Sequence, residues 1–96
     1  MAAEHCASLA EIRERIDALD RSIERLLCER GEYVLRAAAF KRDALDVRAP
    51  RRAAQVIENA SREASRAGFD QALIGRIYEA IVAAFTDAEM NRCARK

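Results

Sequence analysis

The sequence predicts an all-α fold: a protomer of three helices, the first unusually long, that pairs with a second copy as an intertwined homodimer. Apolar residues recur at helical spacing, and no segment shows the alternation typical of a strand. Hydrophobic residues make up 51% and charged residues 34%, with three Gly and one Pro, which indicates a folded, helix-rich chain. Its 96 residues suffice for one core, so we expect a single domain over residues 1–96.

The first predicted helix opens at the stretch "SLAE". Ser8 is placed as the N-cap and Glu11 follows three residues later, which is the spacing of a capping box. Two apolar heptad columns then run without proline to about Arg42. The columns are Leu9, Ile16, Ile23, Arg30 and Ala37, and Ile12, Leu19, Leu26, Tyr33 and Phe40.

The length of this helix predicts the dimer. Roughly 34 residues at about 1.5 Å each give a helix of roughly 50 Å. A compact domain of this size has a diameter of roughly 32 Å. Because the apolar stripe continues to both ends of the helix, we infer that a second copy of the chain covers it.

The remaining chain predicts a loop and two further helices. The stretch "DALDVRAP" breaks the helical period, so Asp43–Ala49 is interpreted as a loop. A second helix runs from Pro50 to about Ala67, and Gly68 can terminate it. Asp70 is the expected N-cap of a third helix that runs to about Arg92. Its apolar face comprises Leu73, Ile74, Ile77, Tyr78, Ile81, Val82 and Phe85.

Charged residues stand on or beside two of these apolar faces. In "LLCERGEYVLRAAAFKRD", Arg30 and Lys41 lie about three turns apart and project from nearly the same side. Glu89 continues the apolar face of the third helix. Each charge alone has a simpler explanation, such as a cation lying over the core edge or a residue at a helix end. Together they favour a pocket for a charged ligand, because a buried charge is costly unless it is paired.

Arg13 belongs to a different end of the same helix. It lies beside Ile12 and Ile16 and faces partly inward, roughly 25 Å from Arg30 along the helix. No small molecule can contact both arginines within one chain. If Arg13 serves the same kind of site, it serves that of the partner protomer.

A basic cluster crowds the start of the second helix at Arg48, Arg51 and Arg52. Cations beside the free N–H groups of a helix start suit an anionic ligand, and they equally suit a solvated loop. The cluster alone does not decide between these two interpretations.

Composition narrows the remaining function classes. His5 is the only histidine, so we expect no metal site. Cys6, Cys28 and Cys93 are widely spaced, which predicts reduced thiols in a cytoplasmic protein. A net charge of +1 gives no general attraction to nucleic acid or membranes. We recognise neither a signal peptide nor an apolar run approaching the roughly 20 residues that span a bilayer.

Three segments of the chain carry a family resemblance: "CASLAEIRERIDALD", "ERGEYVLRAAAFK" and "VRAPRRAAQVI". Together they resemble the AroQ class of all-helical chorismate mutases, in particular the short branch similar to isochorismate-pyruvate lyase. "CASLAEIRERIDALD" matches the family's opening. "ERGEYVLRAAAFK" matches the segment that carries a second arginine and the lysine. "VRAPRRAAQVI" matches the loop and second helix of the lyase-like branch.

The resemblance implies a set of site residues. In such a dimer Arg13 would reach the partner's site, whereas Arg30 and Lys41 would bind substrate in their own chain. Arg52 matches the second-helix arginine near the substrate, and Glu89 falls where most members carry Gln and some carry Glu. Arg30, Lys41 and Glu89 are therefore the candidate catalytic residues, with Arg13 and Arg52 as further substrate-binding residues.

Two departures concern recognition of the substrate hydroxyl. The acidic residues that bind it in typical mutases would fall near Ala49 and Ala53. The small polar residue of the third helix would fall at Phe85. The choice between chorismate and isochorismate therefore stays open.

The chemistry implied by the resemblance explains the inward cations. Chorismate is a dianion with an ether bridge, and its rearrangement to prephenate is pericyclic, so no cofactor is required. Arginines suit the two carboxylates, and a lysine suits the ether oxygen, on which negative charge grows. Even a 10⁶-fold acceleration corresponds to only about 8 kcal/mol. We expect a chorismate mutase acting on a small dianionic substrate.

Three alternatives accompany this expectation. An isochorismate-pyruvate lyase would use nearly the same site to release pyruvate and salicylate. A non-enzymatic helical dimerisation module would use the inward charges as salt bridges that fix the dimer register. Nucleic-acid binding through the basic cluster and the tail "NRCARK" is disfavoured by the low net charge and by the 5% aromatic content.

Overall fold

The computed structural model describes residues 5–94, and the regular structure within that range is entirely helical. The elements are α1 (Leu9–Ala37), a 3₁₀ turn (Ala38–Phe40), α2 (Ala44–Arg48), α3 (Pro50–Arg66) and α4 (Gln71–Ala94). The predicted all-α architecture with a long first helix is confirmed, and α3 and α4 are the second and third predicted helices. None of the described helices combines the length and apolar character needed to cross a membrane.

The start of α1 follows the predicted capping chemistry. The Glu11 backbone N–H donates to Ser8 Oγ at 3.1 Å. Glu11 Oε2 accepts a hydrogen bond from the Ala7 backbone N–H at 3.0 Å. The reciprocal bond of the capping box thus falls on the residue before the cap, and two backbone donors at the helix start are satisfied.

The predicted end of the first helix, at about Arg42, is wrong. α1 ends at Ala37 and the chain tightens into the 3₁₀ turn, after which Lys41 is extended with φ −103° and ψ 142°. Ala38 is fully buried, whereas the Phe40 side chain is 81% exposed. The heptad column therefore gains no burial from its own chain at Phe40, and packing does not favour another turn of α-helix there.

The loop predicted over Asp43–Ala49 is also wrong, because it contains the one-turn helix α2. The Asp46 backbone N–H donates to Asp43 Oδ1 at 3.0 Å, which makes Asp43 the N-cap. Val47 is buried, and Ala49 ends the helix in the left-handed region at φ 34°. A single turn is too short to show a helical period, which explains why the sequence pattern missed it.

The ends of α3 and α4 follow the prediction closely. α3 begins at the predicted proline, and Gly68 adopts φ 72° just beyond the end of the helix. The Leu73 backbone N–H donates to Asp70 Oδ1 at 3.1 Å, so Asp70 caps α4 as expected. α4 extends to Ala94, slightly past the predicted Arg92.

The chain divides into two compact units, one ending at Glu32 and the other beginning at Tyr33. In the second unit α3 packs along α4, and both α2 and the 3₁₀ turn also contact α4. α3 and α4 approach closely at Gly75, where an added Cβ would lie 2.9 Å from Ser61 Oγ. α4 is therefore the element on which the second unit is assembled.

The first unit carries most of α1, and its large apolar side chains are exposed. The exposed fractions range from 48% to 64% for Leu9, Ile16, Leu19, Ile23 and Leu26. This set is the apolar stripe of α1, and it includes members of both predicted heptad columns. An uncovered stripe of this kind is typical of a surface that another chain covers.

Candidate active site

Lys41 and Glu89, predicted from separate parts of the sequence to line one pocket, meet in the second unit. Lys41 Nζ lies 2.6 Å from Glu89 Oε2. The two groups are within ion-pairing distance, so their opposite charges attract each other directly. Glu89 is 4% exposed and the Lys41 side chain 26% exposed, which makes Lys41 the more accessible member of the pair.

The backbone around Lys41 explains how the ammonium reaches α4. The 3₁₀ turn contacts α4, which carries Glu89 near its C-terminal end. The Lys41 backbone N–H donates to the carbonyl of buried Ala38 at 3.3 Å, which holds Lys41 at the end of the turn. The early end of α1 is thus the feature that delivers Lys41 to Glu89.

Two further residues, Arg42 and Asp46, form hydrogen bonds beside Lys41, and the sequence analysis did not identify them. The Arg42 backbone N–H and its Nε both donate to Asp46 Oδ2 at 3.1 Å. These bonds hold the pKa of Asp46 below its ordinary value of 3.8. The bond from the Arg42 guanidinium has the largest effect, and the backbone bond has the next largest. The charge of Lys41 acts in the same direction, and partial burial opposes these effects without outweighing them.

The same contacts raise the pKa of Arg42, chiefly through the side-chain hydrogen bond to Asp46. Two signals in the sequence could have revealed the arrangement. Asp43 stands at N-cap spacing before Asp46, and Arg42 precedes Asp46 at i,i+4 spacing.

Arg52 lies exposed in the first turn of α3. Its Nη1 donates to Gln55 Oε1 at 3.1 Å, so its described partner is on its own helix. Arg48 and Arg51 are also exposed. The tail "NRCARK", the other part of the proposed nucleic-acid surface, ends in Arg95 and Lys96, which lie outside the described residues.

Arg13 and Arg30 belong to the first unit, on α1. Arg13 is exposed, whereas Arg30 is half-buried and its Nη1 atom is buried. Their separation along the helix remains roughly 25 Å, since α1 is continuous through both positions. The predicted site residues are thus divided between the units, and the pair that the structure joins is Lys41 with Glu89.

Three apolar residues stand where typical family members would carry polar residues that bind the substrate hydroxyl. Ala53 and Phe85 are half-buried, and Ala49 is half-buried in its left-handed conformation. Within residues 5–94, no three His, Cys, Asp or Glu side chains are grouped closely enough to hold a metal ion. The three cysteines are free thiols.

Comparison with known proteins decides the family. The chain matches chorismate mutase type II over residues 12–90. It belongs to the chorismate mutase type II family. A relative, the isochorismate pyruvate lyase of Pseudomonas aeruginosa, is 34% identical over 79 residues, which cover 82% of this chain and 78% of the relative. The resemblance predicted from the sequence motifs is therefore confirmed.

Membership of the chorismate mutase type II family gives the ion pair a chemical context. The matched segment begins just before Arg13 and ends just after Glu89, so it contains every predicted site residue. The family supports an enzyme with chorismate mutase-like function. In that setting, a partly exposed lysine beside a buried carboxyl group is suited to binding an anionic, oxygen-rich ligand.

Proposed function

We propose that this protein is a chorismate mutase that rearranges chorismate to prephenate without a cofactor. The observation that carries the proposal is the Lys41–Glu89 pair, which joins two charged residues from inward-facing positions of separate elements. Family membership supplies the reaction class.

Lys41 would be the donor to the ether oxygen of the substrate. An ammonium has three N–H groups, so Lys41 can stay beside Glu89 and still direct a proton towards a ligand. The Lys41 side chain is 26% exposed, beside a Glu89 residue that is 4% exposed, so a ligand would approach the pair from the side of Lys41. As the C–O bond breaks, negative charge grows on the ether oxygen, and a donor fixed in advance stabilises it.

Glu89 would complete the donor set at the ether oxygen. A carboxyl group donates a hydrogen bond only in its protonated form, whereas the Gln found in most relatives donates through its amide. In the structure the Glu89 carboxyl group pairs with Lys41. A dianionic ligand would therefore bind Lys41 through the N–H groups that do not face Glu89.

The arginines would bind the two substrate carboxylates. Arg30 and Arg52 would do so within their own chain, and Arg13 would do so in the partner's site. Arg52 is exposed, and its Nη1 donates to Gln55 on the same helix, so the guanidinium can turn towards a ligand at little cost. Guanidinium groups bind carboxylates bidentately, which fixes the orientation of the substrate as well as its charge.

The homodimer is part of the proposal. The apolar stripe of α1 is exposed, and Tyr33 and Phe40 continue the second heptad column with side chains that are also largely exposed. A second copy would bury this row against its own α1 and bring Arg13 to the neighbouring site. We further propose a single domain over residues 1–96 in a cytoplasmic protein.

Isochorismate-pyruvate lyase activity is the alternative, and one comparison favours it. The relative named as an isochorismate pyruvate lyase is 34% identical over most of both chains. The apolar residues Ala49, Ala53 and Phe85 are compatible with a substrate whose hydroxyl is placed differently. A non-enzymatic dimerisation module is the further alternative, in which the Lys41–Glu89 pair is purely structural.

Product identification separates these functions. Purified protein is incubated with chorismate and, separately, with isochorismate, and the products are identified chromatographically. Prephenate from chorismate supports the mutase. Salicylate and pyruvate from isochorismate, with chorismate left unchanged, would support the lyase instead. Consumption of neither compound would overturn the enzyme proposal and favour the dimerisation module.

A further inference from the structure

We propose that Asp46 is a positioning residue that fixes the backbone from which the Lys41 ammonium acts. The inference rests on the proposed function, in which Lys41 contacts the substrate. Asp46 would not contact the substrate itself. It would act through the peptide bond that follows Lys41.

The position of the Lys41 ammonium depends on a backbone that no helix holds. Lys41 follows the 3₁₀ turn with φ −103° and ψ 142°, outside both α1 and α2. A residue has only two soft backbone dihedrals, each set by the orientation of one flanking peptide plane. The plane before Lys41 is held, because the Lys41 N–H donates to the Ala38 carbonyl at 3.3 Å.

Asp46 holds the plane on the other side. The Arg42 backbone N–H belongs to the peptide that follows Lys41, and it donates to Asp46 Oδ2 at 3.1 Å. Both peptide planes that flank the Lys41 Cα are therefore hydrogen-bonded. Together these bonds restrict both dihedrals, and they define the direction in which the lysine side chain leaves the backbone.

Asp46 is itself anchored to the element that carries Glu89. Its backbone N–H donates to Asp43 Oδ1 at 3.0 Å, which fixes it in the first turn of α2. Val47, the next residue, is buried, and α2 contacts α4. Asp46 thus connects the backbone of Lys41 to the helix on which Glu89 stands.

The backbone bond, not the accompanying salt bridge, is the important contact. Arg42 Nε also reaches Asp46 Oδ2, but the Arg42 side chain is 86% exposed, and exposed ion pairs contribute little. Arg42→Ala removes the guanidinium and keeps the backbone donor. Asp46→Ala removes the acceptor, whereas Asp46→Asn keeps an acceptor oxygen without the charge. The three variants therefore separate positioning of Lys41 from surface charge pairing.

The test measures kcat and KM for whichever of chorismate and isochorismate the protein consumes. We expect Asp46→Ala to lower kcat by about tenfold, the equivalent of one hydrogen bond of ordinary net strength, with little change in KM. Asp46→Asn should keep most of the wild-type kcat, because the amide oxygen still accepts the backbone hydrogen bond. The kcat of Arg42→Ala should remain within about twofold of wild type. Glu58→Ala is the matched control, because Glu58 pairs with Arg62 at the same i,i+4 spacing on α3.

A second comparison distinguishes positioning from general destabilisation. If Asp46 acts through Lys41, Asp46→Ala should cause no further loss of kcat in a Lys41→Ala background. Three results would overturn the positioning role while leaving the proposed function intact. They are a wild-type kcat in Asp46→Ala, the same fractional loss from Asp46→Ala in the wild-type and Lys41→Ala backgrounds, and a loss of kcat in Arg42→Ala as large as that in Asp46→Ala. A wild-type protein that consumes neither substrate would overturn the proposed function, and the role of Asp46 with it.

Discussion

At the scale of single residues, the Lys41–Glu89 pair combines a structural and a chemical requirement. Glu89 is buried and its described charged partner is Lys41, so removing the lysine leaves a buried carboxylate without compensation. A loss of activity in a Lys41 variant is therefore ambiguous unless the buried charge is removed as well. The two roles can be separated because Gln has nearly the shape of Glu and no charge.

We predict that Lys41→Ala lowers the free energy of unfolding by about 1 to 3 kcal/mol, because it strands the Glu89 carboxylate. Adding Glu89→Gln should restore most of that stability, since no buried charge remains. Activity should stay low in the double variant, because the donor to the ether oxygen is still missing. Urea unfolding at fixed protomer concentration, together with steady-state turnover, measures both effects.

The control for this prediction is Glu89→Gln alone, which keeps the lysine. If the double variant recovered activity along with stability, Lys41 would be a purely structural cation, and its catalytic assignment would be wrong.

Asp46 gives a prediction about pH. Its pKa lies below the ordinary value of 3.8 in the folded protein, so its ionised form stabilises the fold at any pH above that value. This stabilisation should be lost as pH falls through the lowered folded pKa. We expect the difference in free energy of unfolding between wild type and Asp46→Asn to be constant from about pH 5 to pH 7 and to shrink below about pH 4.

Denaturant titrations of both proteins across that range measure the difference. Ser22→Ala, on α1, provides a pH-independent reference, since its hydroxyl does not titrate. A difference between wild type and Asp46→Asn that stays the same down to about pH 3 would mean that the Arg42 contacts do not bind the ionised carboxylate preferentially.

At the scale of elements, the close approach of α3 and α4 depends on Gly75. An added Cβ would lie 2.9 Å from Ser61 Oγ, whose hydroxyl donates weakly to the Gln71 carbonyl at 3.4 Å. We predict that Gly75→Val destabilises the protein by about 1 to 3 kcal/mol through overpacking. In a Ser61→Ala background, Gly75→Ala should instead stabilise it by up to about 1 kcal/mol, because alanine favours helix and the opposing atom is gone.

A double-mutant cycle of Gly75→Ala and Ser61→Ala measures this coupling in free energies of unfolding. Independent, additive effects of the two substitutions would contradict the predicted contact between α3 and α4 at this point.

The helix boundaries show what could be predicted from sequence. Ser8, Gly68 and Asp70 act through bonds or dihedrals within a few residues, so their types and spacing sufficed to predict helix starts and ends. The end of α1 could not be predicted in this way. It depends on whether Phe40 is buried by other parts of its own chain, and heptad spacing does not contain that information.

Some parts of the candidate site could likewise be predicted from the sequence, whereas others depend on the fold. Lys41 and Glu89 were recognisable as charges on apolar faces, because a charge interrupts the helical period. Their contact distance depends on the 3₁₀ turn and could not be derived from spacing. Asp46 was missed because its acceptor role depends on the backbone fold of a one-turn helix.

At the scale of the whole molecule, the proposed sites are shared between two chains. In this proposal the apolar stripe of α1 would supply the dimer surface, and the separation of roughly 25 Å between Arg13 and Arg30 would place the two arginines of one chain at different sites. We predict that Arg13→Ala and Arg30→Ala, each inactive alone, regain activity after mixing and subunit exchange. Random exchange at equal amounts should restore about one quarter of wild-type activity, because each heterodimer contains one intact site.

Mass spectrometry of the mixture verifies the exchange, and each variant incubated alone is the control. Verified heterodimers without recovered activity would exclude the shared site, although the chain could still be an enzyme.

The rate of prephenate formation from chorismate tests the central claim most directly. It is compared between wild type and Lys41→Ala/Glu89→Gln, purified identically, so that any host mutase contributes equally to both preparations. We predict that wild type accelerates the reaction by on the order of 10⁶-fold, and that the double variant is at least about a hundredfold slower. Equal rates in the two preparations, at whatever level, would contradict a chorismate mutase site built on Lys41 and Glu89.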